Sequence, residues 1–335
     1  MVGASGVEFP LPLSTQPMEA RTAEALPWDD GPWQYEPKWD GFRCLAFKDG
    51  KTVDLRAKSG KPLGRYFPEL IAALSALTAT EFVADGEIVI EGYASFDALQ
   101  MRLHPAESRI RKLSRETPAQ LVLFDMLAAP GGQSLIELPL HDRRDAAEDF
   151  VAKARSKALR LSPATTSLAT ADRWLKDAGS GSVDGVVAKR LNDPYRPGER
   201  AMVKVKRLRT ADCVVGGFRY LTGTRQVGSL LLGLYNENGQ LDHVGFTSTI
   251  ANDERNALTE RLEELRGGLG FTGKAPGGPS RWSTERSGKW EPVRPELVVE
   301  VRFDHVTSNR FRHGTRLLRW RPDKAPHQCT FEQIA

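Results

Sequence analysis

Several residue types and patterns that announce a function are scarce in this chain. Its 335 residues include three cysteines, Cys44, Cys213 and Cys329, far apart and without the spacing of a zinc site. A disulfide scaffold and a thiolate metal centre are therefore poor readings, and a reducing compartment is expected. The six histidines form no H-x-x-x-H pair and none stands beside a cysteine, so they read as surface or packing residues rather than metal ligands. No apolar run approaches the roughly 18 residues needed to cross a bilayer, and no membrane association is expected. A G-x-x-x-x-G-K-[ST] loop is missing, which argues against a P-loop ATPase. Ser229 and Ser287 lack a nucleophile-elbow context. There is no internal repeat and no long low-complexity tract. The opening MVGASGVEFPLPLSTQP has neither a basic start nor a continuous apolar stretch, so it reads as a loose leader packed on the first domain rather than a signal peptide, and a cytoplasmic protein is expected.

What is present is ordinary in amount and unusual in arrangement. Hydrophobic residues make up 40% and charged residues 27%, typical of a globular protein, and the length favours two domains over one. Residues 207–335 carry 19 Lys and Arg against 15 Asp and Glu, whereas residues 1–206 carry 28 of each. The whole positive excess thus belongs to the C-terminal part. It is densest between Arg302 and Lys324, where Arg302, Arg310, Arg312, Arg316, Arg319, Arg321 and Lys324 face only Asp304 and Asp323. Such a stripe suits a phosphate backbone, although a solvated basic face would have the same composition.

The apolar periodicity changes along the chain. CLAFK, TVDLRAK, EFVADGEIVIEG, AQLVLFDML and DGVVAKR read as strands, alternating with PELIAALSAL, SFDALQMRL, DRRDAAEDFVAKA and ADRWLKDAG as helices. The last of these takes Thr170 as N-cap and Gly179 as its stop. This pattern predicts an α+β domain of antiparallel sheets with flanking helices over 1–206. Beyond VKVKRLRTADC the texture becomes all-β: CVVGGFRY, SLLLGLY and QLDHVGF, with Asn238-Gly239 as a hairpin turn. A single helix follows, capped by Asn252 and ending at Gly267, with Ala257, Leu258, Leu262 and Leu265 as its apolar stripe. A Gly/Pro-rich connection, GGLGFTGKAPGGPS, then leads to ELVVEVRFDHV. Five strands with one inserted helix predict a small Greek-key barrel of the oligonucleotide-binding (OB) type over 207–335.

The chemistry concentrates around YEPKWDGFR (Tyr35–Arg43). On an extended segment Lys38 and Asp40 share a face, and Gly41 opens a turn. Alone, K-x-D-G-x-R identifies nothing. It is followed in order by E-F-V-A-D-G-E-I-V with Glu87, L-V-L-F-D with Phe124, D-G-V-V-A-K with Asp184, V-K-V-K with Lys204 and Lys206, and R-P-D-K with Arg321, Asp323 and Lys324. Across nearly the whole chain these motifs resemble the covalent nucleotidyltransferase superfamily, specifically the ATP-dependent DNA ligases of the stand-alone bacterial C type.

The resemblance implies that the first domain is an adenylation domain and that Lys38 is the nucleophile taking AMP from ATP. An ammonium cannot attack, so its pKa must fall, and Lys204, Lys206 and a bound cation are the expected causes. It further implies Glu36 as acceptor for the adenine amino group, Glu87 as the ribose carboxylate and Phe124 as the aromatic stacked on adenine. Glu87 and Asp184 are implied as holders of Mg²⁺ or Mn²⁺; Asp184 stands where many ligases have glutamate, and its shorter arm suits a water-bridged contact. Arg43 is expected to grip the 5′-phosphate of the nick through its planar fork, and Lys58, in A-K-S-G where an S-R-x-G is common, to neutralise a phosphate as a point charge. Arg321, Asp323 and Lys324 are expected to orient pyrophosphate after one domain closes on the other, and Arg310 and Arg312 to contact DNA.

The implied activity is sealing of nicked duplex DNA by a monomer, in repair, at the bacterial nucleoid, with weak sequence preference. An RNA ligase or capping guanylyltransferase would share the lysine chemistry. Glu36 and F-x-x-L-Q-x-R (Phe96–Arg102) stand against capping. Lys38 together with Lys204 and Lys206 stands against a non-catalytic nucleic-acid-binding module.

Overall fold

The computed structural model describes residues 8–91, 95–179, 182–277 and 289–334. The first seven residues of the expected leader, Gly92 at the end of the expected EFVADGEIVIEG strand, residues 278–280 of the Gly/Pro-rich connection and Ser287 lie outside the described residues. The chain divides into two compact units, Met1–Arg207 and Leu208–Ala335.

The first unit contains strands β1 (Ala20–Thr22), β2 (Trp33–Trp39), β3 (Phe42–Asp49), β4 (Thr52–Ala57), β5 (Glu81–Val89), β6 (Gln120–Ala128), β7 (Leu159–Leu161), β8 (Val183–Arg190) and β9 (Met202–Lys206). Its helices are α1 (Pro68–Ser75), α2 (Ser95–Arg102), α3 (Glu107–Glu116), α4 (Leu140–Ala154) and α5 (Leu168–Asp177). The strands form two sheets, ordered β4-β3-β5-β6-β7 and β1-β9-β8-β2. Both are antiparallel except at one edge each, where β1 pairs parallel to β9 and β7 parallel to β6.

The apolar run in β3 explains why the first of these sheets is buried on both faces. Cys44 and Ala46 join Phe67, Leu70, Leu74 and Phe150 in a core under the helices, while Leu45 and Phe47 pack with Val83, Leu127, Tyr195 and Met202. The other sheet is two-faced. Trp33, Tyr35, Val186, Ala188, Val203 and Val205 pack against Ala171, Leu168 and Trp174 of α5. Strict alternation then sends Gln34, Glu36, Lys38, Val187, Lys189, Lys204 and Lys206 away from α5. The N-cap of α5 is Ser167, whose hydroxyl accepts from the amide of Thr170. The helix therefore begins one turn before the cap expected at Thr170, because Ser167 and not Thr170 has the extended backbone that a cap needs.

In the second unit β10 (Arg209–Tyr220), β11 (Val227–Tyr235), β12 (Leu241–Thr247), β13 (Glu291–Pro292), β14 (Val298–Phe303) and β17 (Arg316–Trp320) form a sheet ordered β12-β11-β10-β14-β17, with β13 added beside β10. A small hairpin, β15 (Val306–Thr307) and β16 (Arg310–Phe311), is separate from it. Thr315, just before β17, donates its amide to Phe246 O of β12 at 2.9 Å. That contact draws the two outer strands together and curls the sheet into the expected OB-type barrel. At the β11–β12 turn Gly239 alone is left-handed, with φ of 69°.

Helix α6 (Arg255–Glu264) departs from expectation in two ways. Its N-cap is Glu254, without a side-chain cap, and Asn252 instead accepts from the Arg255 guanidinium at 3.1 Å. Ala257 is exposed; the buried face is Leu258, Thr259, Leu262 and Leu265. Thr259 belongs there because its hydroxyl accepts the Val227 amide and donates to Arg255 O.

Candidate active site

Between the sheets of the first unit lies a cavity of about 240 Å³ whose lining includes Glu36, Lys38, Arg43, Lys58, Glu87, Phe124, Lys189 and Lys204. Two close approaches shape it. A Cβ on Gly41 would lie 2.1 Å from Ile88 O, and one on Gly185 would lie 2.1 Å from Val205 O. Only glycine lets β2 turn against β5 and β8 lie this close to β9.

Lys38 pairs with Gly185, and Gly185 with Lys206, across three adjacent strands. Asp184 links the two amines: its Oδ1 is 2.7 Å from Lys38 Nζ and its Oδ2 is 3.2 Å from Lys206 Nζ. The nearest charged partner of Lys38 is thus the Asp184 carboxylate, to which the sequence assigned only a metal. Lys204 is the amine held below its ordinary value, by burial first and then by the charges of Lys38, Lys206 and Lys58. A register shift between Lys38 and Trp39 breaks the alternation expected to carry on to Asp40. Asp40 lies beyond the end of β2, buried, with its amide donating to Ser182 O.

At the opposite end, Glu36 and Lys189 form a buried ion pair at 2.9 Å, with side chains 2% and 4% exposed. Gln34 donates to Glu36 Oε1 at 2.8 Å. Lys189 also donates to Phe124 O at 3.1 Å and lies 4.7 Å from the centre of the Phe124 ring. The Arg43 guanidinium is 4.5 Å from the same ring.

Arg43 does not present a free fork. Its Nε and Nη2 each donate to Asp85 at 2.6 Å, and Nη2 also reaches Met18 O at 3.2 Å. Asp85 also accepts from Tyr195 Oη, which in turn accepts the Met18 amide. Bidentate pairing with a fully buried carboxylate fixes Arg43 as a wall of the cavity, which corrects the expected two-pronged grip on phosphate. Next to it Glu87 accepts from the Gly41 amide at 3.1 Å. Burial pushes its carboxyl up to about 7, against the opposing pull of Arg43, Lys38 and the Gly41 amide. Lys58 is more open and pairs with Glu19 at 3.0 Å.

The family match decides what this constellation is. Residues 16–206 match the family described as ATP dependent DNA ligase domain, and residues 223–324 the ATP dependent DNA ligase C terminal region. The chain belongs to the ATP-dependent DNA ligases. Among relatives of this ligase, DNA ligase C1 of Mycolicibacterium smegmatis is 42% identical over 98% of this chain and 96% of its own length. DNA ligase C of Mycobacterium tuberculosis is 41% identical over the same shares. Among solved structures, the ligase domain of M. tuberculosis LigD is 28% identical with a TM-score of 0.50, covering 95% of this chain and 98% of that one.

The ligase motifs of the first unit converge on the cavity, apart from Asp40 and the Asp184–Lys206 pair, which do not line it. Among the described residues no group of three or more His, Cys, Asp or Glu is arranged to hold a metal ion. The expected pair Glu87 and Asp184 supplies hard oxygen donors, but both oxygens of Asp184 are engaged by lysines. In the second unit Arg321 donates to Asp212 at 2.9 Å and to Asp323, and Lys324 donates to Asp212 at 2.7 Å. The hydrogen bond from Arg321 lowers the Asp323 carboxyl to about 2. Arg310 lies 2.9 Å from His243 Nδ1, and the Arg312 amide donates to His305 O.

Sequence reasoning assigned no role to Gln34, Lys189, Asp85 or Tyr195. Gln34 could have been found from alternation, being two residues from Glu36 on β2; Lys189 closes the D-G-V-V-A-K motif but stands five residues from Asp184, an odd number that alternation sends to the other face. Asp85, two residues from Glu87 on β5, carried the same signal; Tyr195 carried none, because its partner Asp85 is reached only through the fold.

Proposed function

We propose that this ligase seals 5′-phosphate/3′-hydroxyl nicks in duplex DNA, and that Lys38 carries the AMP. Residues 1–206 act as the adenylation domain and 207–335 as the OB domain. The Lys38 amine attacks the α-phosphorus of ATP, forming a P–N bond as the bond to the bridging oxygen breaks and pyrophosphate leaves. An oxygen of the 5′-phosphate at the nick then takes AMP from Lys38. The 3′-hydroxyl finally attacks that 5′-phosphorus, forming the phosphodiester and releasing AMP.

The observation that carries this reading is that Lys38 lines one cavity together with Glu36, Glu87, Phe124 and Lys204, while its amine is held by Asp184. Lys204 and Lys206 offset charge on the α-phosphate, and Lys38 must leave Asp184 and lose a proton before it attacks. Glu36 accepts from the adenine amino group, Phe124 stacks on the base and Glu87 accepts from the ribose. Glu87, and Asp184 once the lysines release it, would hold magnesium or manganese through their hard oxygen donors, and the ion would supply charge neutralisation on the phosphate oxygens. Lys58, and the single Arg43 nitrogen that Asp85 leaves over, meet the 5′-phosphate. Arg310 and Arg312 meet the DNA backbone, and Arg321, Asp323 and Lys324 serve the step that expels pyrophosphate. We further propose that the ligase works as a monomer, in repair, at the nucleoid.

The test is sealing of a 5′-phosphorylated nicked duplex with ATP and Mg²⁺ by the native chain and by Lys38→Ala. Sealing and covalent labelling by [α-³²P]ATP are expected in the native chain and absent from the variant. Labelling by GTP alone would replace the ligase reading with capping, and labelling without DNA sealing would point to an RNA acceptor.

A further inference from the structure

We infer that Lys189 is the positioning residue that makes the base end of the cavity read adenine. The inference rests on the reading that the base lies against Glu36 and Phe124.

An ammonium has three N–H donors and no acceptor. Lys189 donates to Glu36 Oε2 at 3.1 Å and to Phe124 O at 3.1 Å, and its nitrogen lies 2.9 Å from Glu36 Oε1 in the same ion pair. The same ammonium lies 4.7 Å from the Phe124 ring centre. One buried cation therefore ties the proposed base-edge acceptor to both the backbone and the ring of the proposed stacking platform. Gln34 donates to Glu36 from the side and does not line the cavity.

The consequence for recognition is a matter of donors and acceptors. A carboxylate buried without a cation would be strongly disfavoured and would take up a proton. Paired with Lys189 it stays an acceptor only. The 6-amino group of adenine can donate to it, whereas the 6-oxo group of guanine would set two acceptors against each other, leaving a buried polar group unpaired. If Lys189 is removed, the carboxyl left behind can protonate and donate to a 6-oxo group. The neighbouring lysines do not share this role: Lys38 and Lys206 hold Asp184, and the charges acting on Lys204 are those of Lys38, Lys206, Lys58 and Asp184.

The experiment compares Lys189→Met and Glu36→Gln with the native chain in covalent labelling by ATP, GTP and purine riboside triphosphate, which lacks the 6-substituent. The native chain is expected to prefer ATP over both others by about tenfold or more, the range set by one unpaired buried group. In Lys189→Met the ATP:GTP ratio should fall at least tenfold. Glu36→Gln, whose amide can donate as well as accept and which leaves the rest of the site intact, should shift the ratio in the same direction. A uniform loss for all three nucleotides in Lys189→Met, with the ratios unchanged, would overturn the inference and reduce Lys189 to a structural ion-pair partner. Should Lys189→Met not fold, an unaltered ratio in Glu36→Gln would overturn it equally. If the native chain is labelled by no nucleotide, the adenylylation reading itself fails, and this inference with it.

Discussion

At the scale of single residues, the site is governed by which charges are neutralised by near neighbours. Glu87 is the group whose titration falls in an accessible range. Its carboxyl is raised from an ordinary value near 4.5 to about 7, chiefly by burial. A raised pKa means that the folded chain holds this proton more tightly than the unfolded one, so the contribution is fully present below about 4.5 and is lost as pH rises through about 7. Thermal melts of the nucleotide-free chain should therefore lose stability over that window relative to Glu87→Gln, and parallel profiles would refute the assignment. Lys38, Glu36, Lys204 and Glu87 were legible in the sequence because short motifs fix their strand and face. The partners that decide their charge state were less so. Asp184 was recognised as a motif residue, but its hold on Lys38 and Lys206 depends on how three strands register, and the Asp85–Tyr195 contact spans 110 residues.

At the scale of elements, the cavity depends on strand spacing. Gly185 sits where a Cβ would strike Val205 O at 2.1 Å. Its own strand β8 and the adjacent β9 carry Asp184 and Lys206, which meet across the same gap. Gly185→Ala should therefore force the strands apart. A loss of about 3 kcal/mol or more in urea denaturation is expected, at the upper end for overpacking, together with loss of Lys38 labelling. Wild-type stability would show that the strands can shift without cost. Most strands and helices were readable from period and composition, and the errors lie at helix starts. The α5 cap at Ser167 and the uncapped start of α6 are settled by local backbone angles, to which the choice among Ser, Thr and Asn is a weak guide. Helix α3 had no motif to announce it; its sequence, ESRIRKLSRE, is polar except for Ile110, which is buried, and the half-buried Leu113.

At the scale of the whole molecule, every residue lining the candidate cavity belongs to the first unit, and each unit has its own apolar core. ATP binding is therefore expected to survive in a fragment of residues 1–207, measured by calorimetry, within a few-fold of the full chain. Covalent labelling of that fragment should drop far more, since Arg321, Asp323 and Lys324 are missing; undiminished labelling would remove those residues from the first step. The positive excess of residues 207–335 also predicts that affinity for nicked duplex falls steeply with salt, with log K linear in log salt concentration. A flat response would locate the DNA contacts elsewhere. The two-part architecture was visible in the sequence because periodicity and charge change together near residue 207.

The ion pair between Lys38 and Asp184 has a further consequence, for the release of the nucleophile. Because Asp184 spans the Lys38 and Lys206 amines, releasing the nucleophile also frees one oxygen of a carboxylate that still grips its neighbour, so arming the first amine leaves the second tethered in place.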